Sequence, residues 1–257
     1  TDDSFNSDYL LSVPALEKLK DILNMNLKGK IDINGEIANK ENSLLLTGKA
    51  NTLGGIFDFD LKNDKLNANL KDIDVQELSY MLDYSKIFDA KANFALNYDL
   101  LLKKGEVVGK LVNGHFLPNN FLALLSQVSK FDLSKETYEV FDINSQIDDR
   151  VLTSNLAMKS ANTQIDIQDS ILDLEKKLID AKINSTIKDK KFLIDVKGET
   201  SNPKISLNAK DLLKEKLDKQ LEKKRDKIEE KLNKVLGGKA EDEKAKELIN
   251  NLKSIVK

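Results

Sequence analysis

The stretch that decides the fold is Ala92-Asn93-Phe94-Ala95-Leu96-Asn97-Tyr98-Asp99-Leu100-Leu101-Leu102. Ala92, Phe94, Leu96, Tyr98, Leu100 and Leu102 recur at every second position, opposite Asn93, Ala95, Asn97 and Asp99. A period of two sends alternate side chains to opposite faces of a strand, so the stretch predicts one long β-strand with a single apolar face.

The same alternation extends outward in both directions. Upstream, Ile31, Ile33 and Ile37 interleave with Asp32, Asn34 and Glu36, and only Gly35 interrupts the apolar side. Phe57, Phe59 and Leu61 interleave with Asp58, Asp60 and Lys62, and Leu66, Ala68 and Leu70 continue the pattern. Downstream it returns in Phe141 and Ile143; in Leu152, Leu156 and Met158; and in Ile165 and Ile167. It closes with Ile179, Ala181, Ile183 and Ile187, then Phe192, Ile194 and Val196. The links carry turn chemistry (Asn63-Asp64, Lys103-Lys104-Gly105, Asp148-Asp149, Asp189-Lys190), which predicts antiparallel hairpins between consecutive strands. Roughly twelve strands at about 4.8 Å each would make a single sheet about 58 Å wide. So wide a sheet is expected to curl or to split into packed layers.

Helical periodicity punctuates this meander. Ser12-Val13-Pro14 opens a short helix toward Leu23, with Pro suited to its first turn. Asp74 caps a second, near 74–83, with Leu78 and Met81 on one face. A third, near 118–131, carries Leu122, Leu125 and Val128, widened by Phe121 and Leu124. From Asp211 the period changes to about 3.6 residues. Leu213, Leu217, Leu221, Ile228, Leu232 and Val235 then form one stripe as far as Gly237-Gly238, and Ala245, Leu248, Ile249, Leu252 and Ile255 form another. These two helices read as an αα-hairpin or arm, either packed on the sheet or as a coiled coil, or serving a membrane surface or partner. The expected class is mainly β with helices (α+β). It is a large twisted antiparallel meander, curled into an open groove or split as a sandwich, with a C-terminal amphipathic helical hairpin. Its parts are an N-terminal segment with a short helix (1–26), the β domain (27–209) and the C-terminal helices (210–257).

Composition narrows the chemistry. In 257 residues, 41 Lys+Arg stand against 43 Asp+Glu, a net charge of −2, so no charge excess points to nucleic acid. There is no Cys and one His, which removes disulfides, thiolate chemistry and most imidazole chemistry. No apolar run reaches the ~20 residues of a membrane-spanning helix. The chain begins at Thr1, as expected of a processed product or an excised piece from which an upstream signal or anchor has been removed. His115, in Asn113-Gly114-His115-Phe116, has no nucleophile motif around it, and the glycines open no phosphate loop. Clusters such as Asp58, Asp60 and Asp64 lack the glycine and terminal glutamate of a calcium loop. No carboxylate pair is singled out for hydrolysis, and aromatics at 6% without Trp argue against a sugar site. No enzyme activity, cofactor or metal is expected.

What remains is the size of the apolar face, since each large side chain left in water forgoes roughly 1.5–3 kcal/mol of burial. A closed sandwich or barrel would cover it internally, and an open trough could be covered by acyl chains. The residues also resemble a family. Leu66 to Asp74, ending Lys71-Asp72-Ile73-Asp74-Val75, is followed by a short helix, the long strand from Ala90 and the hairpin Gly105-Glu106-Val107-Val108-Gly109-Lys110. Val112-Asn113-Gly114-His115-Phe116 then precedes a helix, hairpins recur from Ile143 to Ile187, and Gly198-Glu199-Thr200-Ser201-Asn202-Pro203-Lys204-Ile205-Ser206-Leu207 leads into a Lys-rich helix. This succession, over roughly Leu27 to Leu236, resembles the C-terminal region of AsmA-like proteins, relatives of bridge-like lipid carriers.

The resemblance implies a Gram-negative, periplasmic piece of a protein anchored in the inner membrane by a segment outside this sequence. It implies no catalytic residues. The implied function is shielding or transfer of phospholipid acyl chains between inner and outer membranes, assisting outer-membrane assembly. The expected lipid-groove residues are Ile31, Ile33, Phe57, Phe59, Leu61, Phe94, Leu96, Tyr98, Ile165, Ile167, Ile183, Phe192 and Ile194. Expected partners are lipid acyl chains and a membrane, reached through the anchor and the C-terminal helices, and no nucleic acid. The alternative is a structural or adaptor β-domain with a closed core, whose C-terminal helices bind a protein partner.

Overall fold

The structure, a computed structural model, describes residues 4–23, 25–40, 43–208, 221–227 and 230. Thr1–Asn208 form one compact unit and Ala209–Lys257 a second. Within the second, 221–227 are helical; the rest of the expected C-terminal hairpin lies outside the described residues.

Thirteen strands make up the first unit: β1 (Phe5–Val13), β2 (Ile31–Lys40), β3 (Ser43–Thr52), β4 (Gly55–Lys62), β5 (Lys65–Asp74), β6 (Phe88–Asp99), β7 (Lys104–Phe116), β8 (Tyr138–Asp148), β9 (Val151–Lys159), β10 (Thr163–Asp173), β11 (Leu178–Ile187), β12 (Lys190–Glu199) and β13 (Lys204–Asn208). They form one antiparallel sheet in strict sequence order, so every connection joins spatial neighbours. The sheet neither splits into a sandwich nor closes into a barrel: β1 and β13 are its two edges.

Two strands, β1 and β3, occupy stretches where the sequence shows no clean alternation. Leu44-Leu45-Leu46 blurs the period in β3, and Tyr9-Leu10-Leu11 does so in β1. A second difference concerns β6, which ends at Asp99, so Leu100 and Leu102 do not continue its apolar face. The Asp99 carboxylate accepts the backbone N–H groups of Leu101 and Leu102 at 3.0 and 2.9 Å, and this side-chain turn ends the strand.

Bulges keep the apolar face continuous where the sequence period slips. Between Leu70 and Ile73 the register with β6 shifts, with Asp72 at φ 53°, and the same happens after Ile167, with Asp169 at φ 50°. Asp tolerates this left-handed backbone better than most residues. In both bulges an Asn amide oxygen from the neighbouring strand receives the displaced N–H: Asn93 for Asp72 at 3.0 Å and Asn155 for Asp169 at 2.8 Å.

All the helical pieces of this unit gather at one end of the strands. A 3₁₀ turn (Leu16–Leu19) and α1 (Lys20–Leu23) follow β1, α2 (Val75–Met81) follows β5, and α3 (Asn120–Ser129) with a second 3₁₀ turn (Leu133–Lys135) follows β7. Asn119 caps α3 by accepting the Leu122 N–H at 2.9 Å, while Asp74 stands at the N-cap of α2 and pairs with Lys91 instead. Lys28 N–H to Met81 at one side, and Lys190 Nζ to the Ser129 carbonyl at the other, tie this cap across the sheet end. Under it lies the best-buried cluster, Ile73, Ala92, Leu111, Tyr138 and Phe141, with Phe88 and Phe116 packed edge-to-face against its rings.

Candidate functional site

The strand register assembles the apolar face residue by residue. Ala50 pairs with Phe57, Phe57 with Leu70, Leu70 with Phe94, and Phe94 with Gly109. The row continues through Ile143, Leu156, Ile167, Ile183 and Ile194 to Leu207. It crosses from β3 to β13 without a polar side chain, over about 48 Å at about 4.8 Å per strand. All thirteen expected groove residues share this face, with Ile33 entering opposite Leu11 and Ile31 opposite Val13. Asp58 and Asp60 point the other way, where Asn69 and Lys71 bind Asp58.

Accessibility divides the face in two. Ile165, Phe192 and Ile194 are buried, whereas Ile31, Ile33, Phe57, Phe59, Leu61, Phe94, Leu96, Tyr98, Ile167 and Ile183 are half-buried. The half-buried side chains keep some solvent contact, although Phe94, Ile167 and Ile183 also pack against the buried cluster under the cap. Alternation did not reveal that Leu46, Val107, Leu111, Ile147 and Leu207 complete the surface.

The floor of this trough is kept low by a repeated device, an aromatic ring laid over a cross-strand glycine. Phe59 is paired with Gly48, Phe94 with Gly109 and Tyr98 with Gly105. A Cβ at Gly48 would come within 2.2 Å of the Phe59 ring, and one at Gly109 within 2.5 Å of the Phe94 ring. Tyr9 crosses Gly35 in the same way and donates its hydroxyl to the Thr47 carbonyl at 2.8 Å. Hydroxyls that interrupt the apolar floor are mostly spent on one another: Ser145 and Ser154 share a 2.7 Å hydrogen bond, and Ser170 donates to the Ser154 carbonyl at 3.1 Å. Ser185 Oγ is buried without a partner.

Polar chemistry concentrates at the capped end. The buried Glu136 carboxylate accepts from the Ser160 hydroxyl and from the backbone and side-chain N–H groups of Asn162 at 3.1 and 2.9 Å. Burial pushes this carboxyl up, but those hydrogen bonds outweigh it and hold it below its ordinary value. The Tyr138 hydroxyl bonds Thr163 Oγ1 at 2.7 Å, and its burial raises the phenol. This network pins the β9–β10 turn to the cap. His115 sits 3.6 Å from Asp89 at the end of β7, partly exposed. Among the described residues no three His, Cys, Asp or Glu side chains converge as a metal site, and no helix is long and apolar enough to cross a membrane. A shallow depression opens over β1–β4, lined by Leu10, Glu36, Lys49 and Asp58 together with Tyr9, Gly35, Gly48 and Phe59.

No family model, curated protein or solved structure matches the chain.

Proposed function

We propose that the protein is a non-enzymatic cell-envelope component whose open apolar trough shields phospholipid acyl chains in passage between inner and outer membranes and so assists outer-membrane assembly. The observation that carries this reading is the row from Ala50 to Leu207, apolar on every strand and only half-buried over most of its length. Covering the part of these side chains that water still reaches gains about 25 cal/mol per Å² of apolar surface, so an apolar occupant gains what the fold leaves uncovered. An acyl chain suits the surface because it asks for no hydrogen bonds, and the central floor hydroxyls of Ser145 and Ser154 are already engaged. The envelope setting and the inter-membrane role follow from the AsmA-like resemblance of the sequence.

The test is native mass spectrometry of the purified chain, followed by solvent extraction and lipid analysis. Acyl species bound in stoichiometric amount are the expected result. A lipid-free protein that instead captures a protein partner through residues 210–257 would replace this reading with the adaptor one.

A further inference from the structure

We propose that the β6–β7 hairpin tip, Leu100-Leu101-Leu102, is a membrane-insertion point that seats the open end of the trough on a phospholipid bilayer. As a docking point for a lipid carrier it rests on the acyl-shielding function above, but its geometry stands separately. The three leucines are 45%, 76% and 64% exposed, at the end of the strands opposite the helical cap. Twelve residues of β6 separate the two ends, about 40 Å at about 3.4 Å per residue.

A turn that only reverses the chain is normally polar, as Asn63-Asp64 and Asp149-Arg150 are on the neighbouring tips. This one is apolar and also rigid. Asp99 accepts from Leu101 and Leu102, Leu100 N–H donates to the Asp64 carbonyl at 2.8 Å, and Asp149 N–H donates to the Lys103 carbonyl at 2.7 Å. The backbone beneath the leucines is thus ordered before docking, which lowers the cost of binding. Lys103 and Lys104 follow directly and pair with Asp149 and Asp148 at 3.5 and 3.4 Å, while Lys65 on the adjacent tip pairs with Asp99, so the charges around the leucines are matched. Exposed pairs of this kind are worth little, so these lysines, with side chains 63–68% exposed, exchange their carboxylates for headgroup phosphates as the leucines enter the acyl region. A convex tip of three residues is far smaller than the roughly 800 Å² per partner of a stable protein interface, whereas a bilayer needs no complementary pocket.

The chain has no Trp, so Leu101→Trp in the full chain places a single indole at the tip. With vesicles of phosphatidylethanolamine and phosphatidylglycerol, its emission should shift to the blue and be quenched by brominated acyl chains. Leu101→Ser/Leu102→Ser should weaken vesicle flotation at least tenfold, with an unchanged unfolding midpoint and unchanged uptake of a monomeric fluorescent fatty acid in vesicle-free buffer. An indole that stays water-like while the protein floats would place the membrane contact elsewhere and overturn the proposal. An absence of both flotation and shift would overturn it as well, while fatty-acid uptake would still uphold the trough. Indole insertion without fatty-acid uptake by the unaltered chain would uphold the tip and refute the trough.

Discussion

A methyl group at Gly109 has nowhere to go except into the Phe94 ring, and at Gly48 it meets the Phe59 ring and Ile33. Neither glycine needs a positive φ, so the demand is for space above the backbone. Gly109→Ala should therefore cost about 1–3 kcal/mol as the ring is driven off its seat, measurable by urea unfolding. A second residue-level prediction concerns Glu136. Its folded pKa lies below the ordinary value of 4.5, so the stability it contributes is complete above that value and is lost as pH falls through the lower, folded one. Between about pH 6 and about pH 3.5 the unaltered protein should lose more thermal stability than Glu136→Gln, which cannot titrate. Equal losses would show that the carboxylate does not stabilise the β9–β10 turn. In the sequence, Gly35 could be seen interrupting an apolar face. That a tyrosine ring fills the gap could not, because the filler comes from another strand whose register is set in three dimensions.

At the scale of elements, alternation found those strands whose two faces differ in polarity. It missed β1 and β3, where leucines fall on both faces, left β7 and β13 to the family resemblance, and overran β6, where Asp99 diverts the chain. The helix signals at Asn119 and Asp74 sit where α3 and α2 begin, but only Asn119 makes the side-chain cap; the Asp74 carboxylate is drawn to Lys91. Because Thr1–Asn208 is compact with its own buried cluster, a chain ending at Asn208 should unfold cooperatively with a melting temperature close to that of the whole protein. Loss of the sheet's circular dichroism on truncation would mean that 209–257 complete the core. If lipid transfer between liposomes falls while the sheet stays intact, those residues are accessory, as their narrow stripe and dense charge suggest.

For the molecule as a whole, an open trough and a closed core respond differently to an introduced charge. Leu96→Asp and Ile183→Asp place a carboxylate on half-buried positions that water already reaches, so the fold should survive while acyl binding is lost. Ile73→Asp sits at 0% exposure beneath the cap, where an unpaired charge costs several kcal/mol and should unfold the unit. Circular dichroism together with fatty-acid titration distinguishes the three. Unfolding by all of them would mean that the apolar face is a covered core and that acyl shielding is the wrong function.

The sequence by itself determined the antiparallel meander, the face each groove residue takes and the near-absence of sulfur and imidazole chemistry. Those properties are local, carried by a period of two, short polar turns and residue types. Only the tertiary structure decided that thirteen strands stay in one unclosed sheet, that its helices crowd to one end, and that Leu100 to Leu102 project from the other. Closure and covering depend on how twist, bulges and end-caps accumulate across many strands, a sum to which each strand adds little that its own residues reveal.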